Sequence, residues 1–491
     1  MTELASKVLR SSAAVFVIKA SHRSIGLIST LILARVLTPD DFGLVAIVSL
    51  VVHLFDILAT AGSTQYIIQK NGVTERDLNT AWSIDLILKT SIQILLISLS
   101  PFVSDYYDKP ELQWAITVAS FSLPISAMVN PGLLLLKKNL DFSKILKLSI
   151  FQKVFSFCIV MTVIAIHPSY WALIAGDIAA SFFFTVGSYR VHLFRPRFSL
   201  AELREQFNFS QWVVLKSIFG YARSQADTVI ASSLFSMANL GSYHLIKNLI
   251  SLPIRDIVGP VLEPLLAAFA ATKVENRDLL PAQIRVSISI IFFVITPITV
   301  FTWSYSQIIV DFILGSKWNN AEPILAAMSL LLLPYSLNKI LEICCISVGL
   351  VRQIFIYDVV STISIVGFLI IFSAETISEF SFRFSLLNIG FSIVFLIYVD
   401  RLIALGIFRL VKVLVPILFS GLFAKFLVDY TFESTPDLLF LQLLYFLTLY
   451  LFTYILVFVG IYFLLLRKNH DVIMITNFLF STIKKLSIRK N

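Results

Sequence analysis

The sequence predicts an all-α polytopic membrane protein with about fourteen transmembrane helices. Of its 491 residues, 57% are hydrophobic and only 14% are charged, and Phe alone occurs 43 times. Soluble chains carry roughly 25% charged residues. Apolar runs of about 20 residues, which as helices cross about 30 Å of hydrocarbon, recur along the whole chain. Composition therefore indicates a chain built of membrane helices, and it does not indicate a nucleic-acid partner.

The predicted spans follow from these runs and from the polar turns between them. The spans are 11–36, 42–66, 80–102, 111–136, 146–167, 170–190, 209–233, 241–271, 283–310, 321–348, 353–373, 382–402, 410–429 and 438–466. The first span is too long, and too charged at Lys19 and Arg23, for a cleavable signal peptide. The segment 471–491 is amphipathic and basic, and we expect it to lie on the membrane surface.

Basic residues predict the orientation of these spans. Most of the 39 Lys and Arg residues fall in one set of alternate loops and in the two terminal segments. The basic residues of the opposite loops are Arg35, Lys109, Lys317 and Arg383. Because cytoplasmic loops carry the excess of Lys and Arg, we expect both termini in the cytoplasm. The outer loops are short, and no soluble domain is inserted between the spans.

A faint internal repeat divides the spans into two halves. Thr38–Gly43 matches Ser236–Gly241 at an offset of 198 residues, and Ser120–Ser126 matches Leu330–Ser336 at an offset of 210. An offset of six spans gives both halves the same orientation, so we expect a parallel repeat with a pseudo-two-fold axis along the membrane normal. The predicted parts are an N-terminal six-helix lobe (1–190), a cytoplasmic linker (191–208), a C-terminal six-helix lobe (209–402), two additional transmembrane helices (410–466) and a basic cytoplasmic tail (467–491).

The stretch LARVLTPDDFG, residues 33–43, interrupts the apolar runs with charged residues and a proline. Thr38 is a good N-cap, and Pro39 fits the first helical position, where no N–H is needed. Asp41 completes an approximate capping box with Thr38. These residues predict that one helix ends and the next begins at the outer surface, rather than a binding site.

The same stretch, followed by an apolar helix and GSTQYIIQK at 62–70, resembles the N-terminal signature of the Wzx-type polysaccharide flippases. LGSYHLIKNLISLP at 240–253 and GSKWNNAEPIL at 315–325 are similar to that family's second half. This family is the polysaccharide exporter branch of the multidrug/oligosaccharidyl-lipid/polysaccharide exporter superfamily. The resemblance implies a bacterial inner-membrane protein with two six-helix lobes that face each other across a central cavity.

The resemblance also implies an activity. Such a flippase moves an undecaprenyl-pyrophosphate-linked oligosaccharide repeat unit from the cytoplasmic to the periplasmic leaflet, for O-antigen, capsule or exopolysaccharide synthesis. Its partners would be that lipid-linked oligosaccharide, membrane lipids, and the polysaccharide polymerase and chain-length machinery. No cofactor is expected, and the protein would be a transporter rather than an enzyme.

Basic residues also occur inside the predicted spans. They are Lys19, Arg23, Lys89, Lys153, Lys216, Arg223, Lys247, Arg255, Lys339 and Lys425. A charge at a lipid-facing helix centre costs about 2.5–3.5 kcal/mol, so these residues must pair, snorkel or line an aqueous cavity. Helical spacing predicts three local pairs. The pairs are Asp85–Lys89, Arg223–Asp227 and Lys339–Glu342.

Cations on spans one, seven and eight lie where the resemblance places the cavity wall. The candidate headgroup-binding residues are Lys19, Arg23, Lys216, Arg223, Lys247 and Arg255. Arg offers bidentate donors to phosphate oxygens and Lys a compact charge, as a pyrophosphate-linked sugar requires. Asp56, Asp177 and Glu263 are candidate ion-coupling carboxylates. The alternative for both sets is that they form cross-helix ion pairs that fix the packing.

Two other functions compete with that of a flippase. A multidrug exporter of the same fold would need an acidic or neutral aromatic cavity for organic cations, and the spans carry many cations instead. A membrane-embedded polysaccharide polymerase or ligase would need catalytic groups near the outer face, usually on a long loop, and the outer loops are short. The three cysteines, Cys158, Cys344 and Cys345, lie in apolar runs and predict neither a disulfide nor a metal site.

Overall fold

The computed structural model of the chain describes residues 24–59, 63–70, 72–139, 141–275, 277–318, 320–431 and 439–461. These residues form helices joined by short connections, and no strand occurs among them. The chain divides into two compact units, Met1–Gly241 and Ser242–Asn491, and the boundary lies inside a helix. The predicted amphipathic segment 471–491 lies outside the described residues.

The first unit contains ten helices in its described part. They are α1 (Ser24–Val36), α2 (Pro39–Ala59), α3 (Ser63–Gln69), α4 (Glu75–Tyr107), α5 (Pro110–Ser120), α6 (Ser122–Ala127), α7 (Gly132–Lys138), α8 (Ser143–Ile166), α9 (Trp171–Val191) and α10 (Leu203–Leu234). Helix α11 (Met237–Pro253) begins in this unit. The predicted separation of spans five and six at residues 167–170 is confirmed, because α8 ends and α9 begins on either side of it.

The second unit continues α11 and adds the remaining described helices. They are α12 (Gly259–Glu275), α13 (Leu280–Ser304), α14 (Ser306–Ile313), α15 (Ala321–Ser329), α16 (Leu332–Val348), α17 (Val351–Ile371), α18 (Ile377–Ile403), α19 (Ile407–Thr431) and α20 (Leu439–Ile461). A π-helical turn, Ile254–Val258, joins α11 to α12. Short 3₁₀ turns lie at Arg277–Leu279 and Ser316–Trp318.

The prediction of an all-α polytopic membrane protein is confirmed. Among the described residues, 11 helices are long and apolar enough to cross a membrane, and 12 segments qualify if the bent pair of α5–α6 with α7 is counted. The other two predicted spans, 11–36 and 209–233, correspond to α1, described from Ser24 onward, and to α10, whose sequence is more polar. The count of fourteen stays a prediction with which these helices are compatible.

The fourth predicted span, 111–136, is broken rather than continuous. Helix α7 turns by 67° from the segment Pro110–Ala127 that precedes it. Pro131 lies at the break, and proline both lacks an N–H and disfavours helical geometry in the residue before it. The Asn130 Oδ1 atom accepts from the Gly132 N–H at 2.9 Å and thereby begins the next helix.

The second and eighth predicted spans also differ in detail. The predicted span 42–66 ends earlier, at Ala59, and a separate short helix, α3, follows. The predicted span 241–271 belongs to a 39-residue run, Met237–Glu275, that contains the π-helical turn. Pro253 and Pro260 flank this turn and remove two main-chain donors there, so the regular hydrogen-bond ladder cannot continue.

The capping box predicted at the start of α2 is confirmed. The Asp41 N–H donates to Thr38 Oγ1 at 3.3 Å, and the Thr38 N–H donates to Asp41 Oδ2 at 3.0 Å. The Tyr170 N–H donates to Asp41 Oδ1 at 3.2 Å, so this carboxylate also links α2 to the start of α9. Asp41 therefore has a structural role at the start of this helix.

Helices α2 and α11 begin against each other in a reciprocal contact. A Cβ atom on Gly43 would overlap the carbonyl oxygen of Met237, and one on Gly241 would overlap the carbonyl oxygen of Pro39. The sequence offset of 198 residues carries Pro39 onto Met237 and Gly43 onto Gly241. Two helices related by a two-fold axis would meet in this way, although the internal repeat itself stays a prediction.

Helix α13 forms the centre of the second unit, since most of its apolar length is buried. Helices α19 and α20 pack against it. The Tyr454 hydroxyl donates to the carbonyl oxygen of Phe293 at 2.9 Å, and the Tyr305 hydroxyl donates to Asp429 Oδ1 at 3.0 Å. The last two predicted spans thus contribute to the core of this unit rather than lying beside it.

Candidate functional site

An ion pair joins α2 to α4 in the first unit. Lys89 Nζ lies 2.8 Å from Asp56 Oδ1, and it donates to Ser126 Oγ on α6 at 3.0 Å. The Lys89 side chain is 13% exposed and that of Asp56 36%. The predicted pair of Lys89 with Asp85 is wrong, because the packing of α2 beside α4 offers Lys89 a closer carboxylate from the neighbouring helix.

Asp85 nevertheless belongs to the same group of side chains. Ser63 Oγ on α3 donates to Asp85 Oδ1 at 3.0 Å, and both Lys89 and Asp56 act on Asp85 electrostatically. Four helices, α2, α3, α4 and α6, therefore gather two carboxylates, one ammonium group and two hydroxyls. From the sequence, Asp85 was interpreted as a local partner of Lys89 or as a member of a cross-helix ion pair. Its place one turn before a lysine in an apolar span was the signal that it belongs to a polar group.

Asp177 on α9 has different neighbours. The ionisable groups that act on it electrostatically are His53, one helical turn before Asp56 on α2, and Lys153 on α8. Asp56 lies on the same face of α2 as His53, and His53 in turn acts on Asp177. The two predicted ion-coupling carboxylates, Asp56 and Asp177, are therefore linked through this face of α2. Glu263, the third, lies on α12, and its side chain is outside the described part of the chain.

The predicted headgroup-binding cations fall on several elements. Lys19 and Arg23 lie outside the described residues, and Lys216 lies on α10 with its side chain undescribed. Arg223 is half-buried on α10, one turn before the buried Asp227. In the second unit, Lys247 is half-buried on α11 and Arg255 is exposed on the π-helical turn.

The π-helical turn gives Arg255 an unusual setting. Turns of this kind are rare and occur frequently at functional sites, because the extra residue displaces side chains from the regular helical register. This turn packs against α16. On α16, the predicted pair of Lys339 with Glu342 is confirmed, with Lys339 Nζ 2.9 Å from Glu342 Oε2. On α19, Lys425 Nζ lies 2.9 Å from Asp429 Oδ2, so this intramembrane cation is paired.

A second ionic cluster lies at the polar end of α4, where sequence reasoning assigned none. Lys70 Nζ donates to Asp77 Oδ1 and to the Tyr66 hydroxyl, both at 2.8 Å, and to Glu205 Oε2 at 3.0 Å. These hydrogen bonds, with that to Asp77 the strongest, raise the pKa of Lys70, and the bond from Lys70 lowers the pKa of Glu205. Glu205 is separated from Lys70 by 135 residues in sequence, so no local pattern could reveal that this carboxylate belongs to the cluster.

The carboxylates of this cluster could in principle hold a cation. Asp77, Glu202 and Glu205 offer ligand atoms within 4.8 Å of one another. The ammonium group of Lys70 already bonds to two of the three carboxylates. Among the described residues, Lys70 is therefore the cation that these carboxylates already bind.

Comparison with known proteins places the chain in a family. A family model described as "Polysaccharide biosynthesis protein" matches residues 32–323, which is more than half of the chain. The lipopolysaccharide biosynthesis protein WzxC of Escherichia coli (strain K12) is 24% identical over 309 residues, which cover 61% of this chain and 62% of WzxC. The succinoglycan biosynthesis transport protein ExoT of Rhizobium meliloti (strain 1021) is 22% identical over 302 residues, 61% of each protein. The chain thus spans less than two thirds of the length of these relatives.

Solved structures show the same fold. The lipid II flippase MurJ, in an inward closed conformation, superposes with a TM-score of 0.71 at 13% identity, over 92% of this chain and 97% of that one. A multidrug resistance MATE family transporter of the MOP superfamily superposes with a TM-score of 0.59 at 14% identity, over 78% of this chain and 94% of that one. These two structures therefore show the fold of the chain, whereas the family model identifies its family. The chain belongs to the polysaccharide biosynthesis protein family, in agreement with its resemblance to the Wzx-type polysaccharide flippases.

Proposed function

We propose that the chain is a flippase that moves an undecaprenyl-pyrophosphate-linked oligosaccharide repeat unit from the cytoplasmic to the periplasmic leaflet. The observation that carries the proposal is the set of cations on membrane-length helices, above all Lys247 and Arg255 on the run Met237–Glu275. The family description and the names of WzxC and ExoT support a role in polysaccharide synthesis. The product would serve O-antigen, capsule or exopolysaccharide synthesis.

The proposed mechanism is alternating access by two six-helix lobes around a cationic central cavity. The headgroup would pass through the cavity while the polyprenyl chain stays in lipid. The residues proposed to contact the pyrophosphate-sugar headgroup are Lys19, Arg23, Lys216, Arg223, Lys247 and Arg255. A guanidinium group donates two parallel hydrogen bonds to phosphate oxygens, and these hydrogen bonds strengthen where water is excluded.

The proposed coupling ion, a proton or sodium, would bind at Asp56, Asp177 or Glu263. The ion pair of Asp56 with Lys89 sets a condition on this proposal, because Lys89 must release Asp56 before that carboxylate binds another cation. Ser126 Oγ, which also accepts from Lys89, offers the ammonium group a second partner.

We propose further that the protein lies in the bacterial inner membrane with both termini in the cytoplasm. The distribution of Lys and Arg between alternate loops supports this orientation. A polysaccharide polymerase and the chain-length machinery would act on the translocated repeat unit on the periplasmic side.

A complementation experiment tests the proposal. In a strain that lacks this protein and any substitute flippase, the lipid-linked repeat unit should accumulate with its headgroup inaccessible from the periplasm. The intact chain should restore accessibility, whereas Arg223→Ala with Arg255→Ala should not. The control is Arg352→Ala, an exposed arginine at the start of α17. Periplasmic arrival of the repeat unit without the protein would refute the flippase function, and full activity of the double variant would refute the cationic site.

The shared fold with a multidrug resistance transporter favours a second candidate, export of organic cations. The cations on α10 and α11 argue against such a substrate, because they would repel it. Ethidium efflux that depends on this chain would reverse the order of the two candidates.

A further inference from the structure

The segment that joins α9 to α10, residues 192–202, is bonded along its length to the first unit, and we call it the strap. At its start, Asn130 Nδ2 donates to the carbonyl oxygens of His192 and Phe194, at 2.9 and 2.8 Å. His192 also lies so close to Gly132 that a Cβ atom there would overlap its ring. The strap therefore begins in a fixed position on α7 and the turn that precedes it.

The rest of the strap is bonded to α4. The main-chain N–H groups of Arg197, Ser199 and Glu202 donate to the side-chain oxygens of Asn79, Ser83 and Thr80, at 2.8, 2.9 and 3.2 Å. At the start of α10, Gln206 Nε2 donates to the carbonyl oxygen of Asp77 at 2.9 Å. Polar side chains on one helix thus hold an extended segment in a single register.

This register determines which side chains face outward. Phe194 packs against a buried cluster that includes Tyr66, Ile67 and Leu78. The apolar side chains of Leu193 and Phe198 are not packed in this way, since Leu193 is 89% exposed and Phe198 is 64% exposed. These two side chains form the outward face of the strap.

The position of the strap along α4 suggests what these apolar side chains meet. Helix α4 has 33 residues and is about 50 Å long, whereas the hydrocarbon core is about 30 Å thick. If the excess is shared between both ends, about seven residues at each end lie outside the hydrocarbon. The strap contacts α4 at residues 79–83, which is the level at which the helix passes from the headgroups into the acyl chains.

The exposed arginines at this level, Arg195, Arg197 and Arg204, outnumber the neighbouring carboxylates of Glu202 and Glu205. Burial lowers the pKa of His192, and the nearby positive charges of Lys144 and Arg195 lower it further. The neighbouring carboxylate of Glu205 is bonded to Lys70 and does not neutralise these cations. An apolar face edged with arginines at headgroup depth is complementary to an anionic lipid surface.

We propose that the outward face of the strap binds anionic phospholipids of the adjacent leaflet. Arg197 and Arg204 bind the phosphate groups, and Leu193 and Phe198 lie among the upper acyl carbons. This interaction is separate from the proposed flippase activity, and it requires no particular transported substrate.

Binding of fluorescent phospholipids to the purified full-length chain in neutral detergent tests the proposal. The probes are phosphatidylglycerol and phosphatidylcholine with identical acyl chains. The unchanged chain should bind phosphatidylglycerol more tightly, and added salt should reduce the difference. Arg197→Gln with Arg204→Gln should weaken phosphatidylglycerol binding roughly 10- to 30-fold and leave phosphatidylcholine binding unchanged. Leu193→Ser with Phe198→Ser should weaken binding of both lipids.

The matched control also removes two positive charges, but from the second unit instead of the strap. Arg352→Gln with Arg401→Gln alters two exposed arginines at helix ends of the second unit, and it should change neither affinity by more than about twofold. Equal affinities of the unchanged chain for the two lipids would overturn the proposal. An undiminished preference in the Arg197/Arg204 variant would overturn it as well. If instead the Leu193/Phe198 variant converts a dimer to a monomer with unaltered lipid binding, the face contacts a second copy of the chain, and the proposal is wrong.

Discussion

Single polar side chains determine where α2 begins and how it is joined to its neighbour. Asp41 accepts from the Thr38 N–H and from the Tyr170 N–H, whereas Asp40 beside it is exposed. Both carboxylates lie in the first helical turn, where the helix dipole favours negative charge. The two residues therefore share charge and position but differ in hydrogen bonding.

We expect Asp41→Ala to lower the free energy of unfolding by about 1–2 kcal/mol, because it removes a cap and a link to α9. Asp40→Ala should have a smaller effect, since it removes only the interaction with the dipole. Thermal unfolding of the purified variants in detergent measures both. Equal losses in the two variants would contradict the role assigned to the capping box.

The ion cluster at Lys70 predicts a pH dependence. The hydrogen bond from Lys70 lowers the pKa of Glu205, so its contribution to stability is complete above the ordinary Glu pKa of about 4.3 and is lost as the pH falls below it. The raised pKa of Lys70 means that its own contribution is complete below about pH 10 and is lost above it.

The melting temperature of Glu205→Gln should therefore fall less than that of the unchanged chain between about pH 5 and pH 3. Glu275→Gln, at an exposed glutamate in α12, serves as the control and should follow the unchanged chain. If the curves for Glu205→Gln and the unchanged chain are parallel, Glu205 contributes nothing to stability.

Two ion pairs show which side-chain contacts can be predicted from the sequence and which cannot. Lys339 and Glu342 lie on one helix, so their spacing was sufficient to predict the pair. Lys89 also had a carboxylate one turn away, yet it pairs with Asp56 on another helix. Spacing defines which residues share a helix face, but only the packing of helices decides which face meets which.

At the scale of elements, the closest helix approach described above is that of α2 and α11. It depends on Gly43 and Gly241, each facing a carbonyl oxygen of the other helix. Main-chain atoms cannot move aside as a flexible side chain can. The contact therefore constrains both positions to glycine.

We expect Gly43→Ala and Gly241→Ala each to destabilise the protein by about 1–3 kcal/mol, because the added methyl group forces the two helices apart. The double variant should cost less than the sum, since one separation accommodates both methyl groups. Gly220→Ala on α10 is the control, because no atom lies near its Cβ position, and it should be neutral or stabilising by up to about 1 kcal/mol. Additive losses, measured by thermal unfolding, would show that the two glycines are not in one contact.

Element boundaries were predictable where a local chemical signal marks them. Thr38, Pro39 and Asp41 mark the start of α2, and the proline at residue 168 marks the separation of α8 from α9. The break before α7 also has a proline, Pro131, but proline occurs inside other membrane helices without ending them, as at residue 101 in α4. Neighbouring helices can satisfy the freed carbonyl groups, so the outcome depends on tertiary context.

At the scale of the whole molecule, α19 and α20 are part of the second unit's core. Tyr450 and Tyr454 are buried, and a Cβ atom on Gly421 would lie 3.0 Å from Thr296 Cγ2 on α13. The fold could be recognised without these helices, because the family motifs and the repeat lie before them. The contact of α19 and α20 with α13 could not be predicted from the sequence, because apolar residues of a membrane helix can face either lipid or protein.

A chain that ends at residue 403 should therefore fail to give a monodisperse peak in size-exclusion chromatography in detergent. The truncation uncovers Val300 and Phe301, which are buried against the last two helices. Tyr454→Phe is the milder control, which removes one buried hydrogen bond and should cost about 1 kcal/mol. A truncated chain that remains monodisperse, with an unchanged melting temperature, would show that these helices are dispensable.

The strap also bears on how the protein is made. Every hydrogen-bond partner described for it, from Asp77 to Asn130, is synthesised before the strap itself. At about 5–20 residues per second, the ribosome needs roughly a quarter of a minute to a minute to synthesise residues 208–491. The strap can thus fasten the adjoining ends of α4 and α9 before the later helices are synthesised, so that the first unit is held together while the second is still unmade.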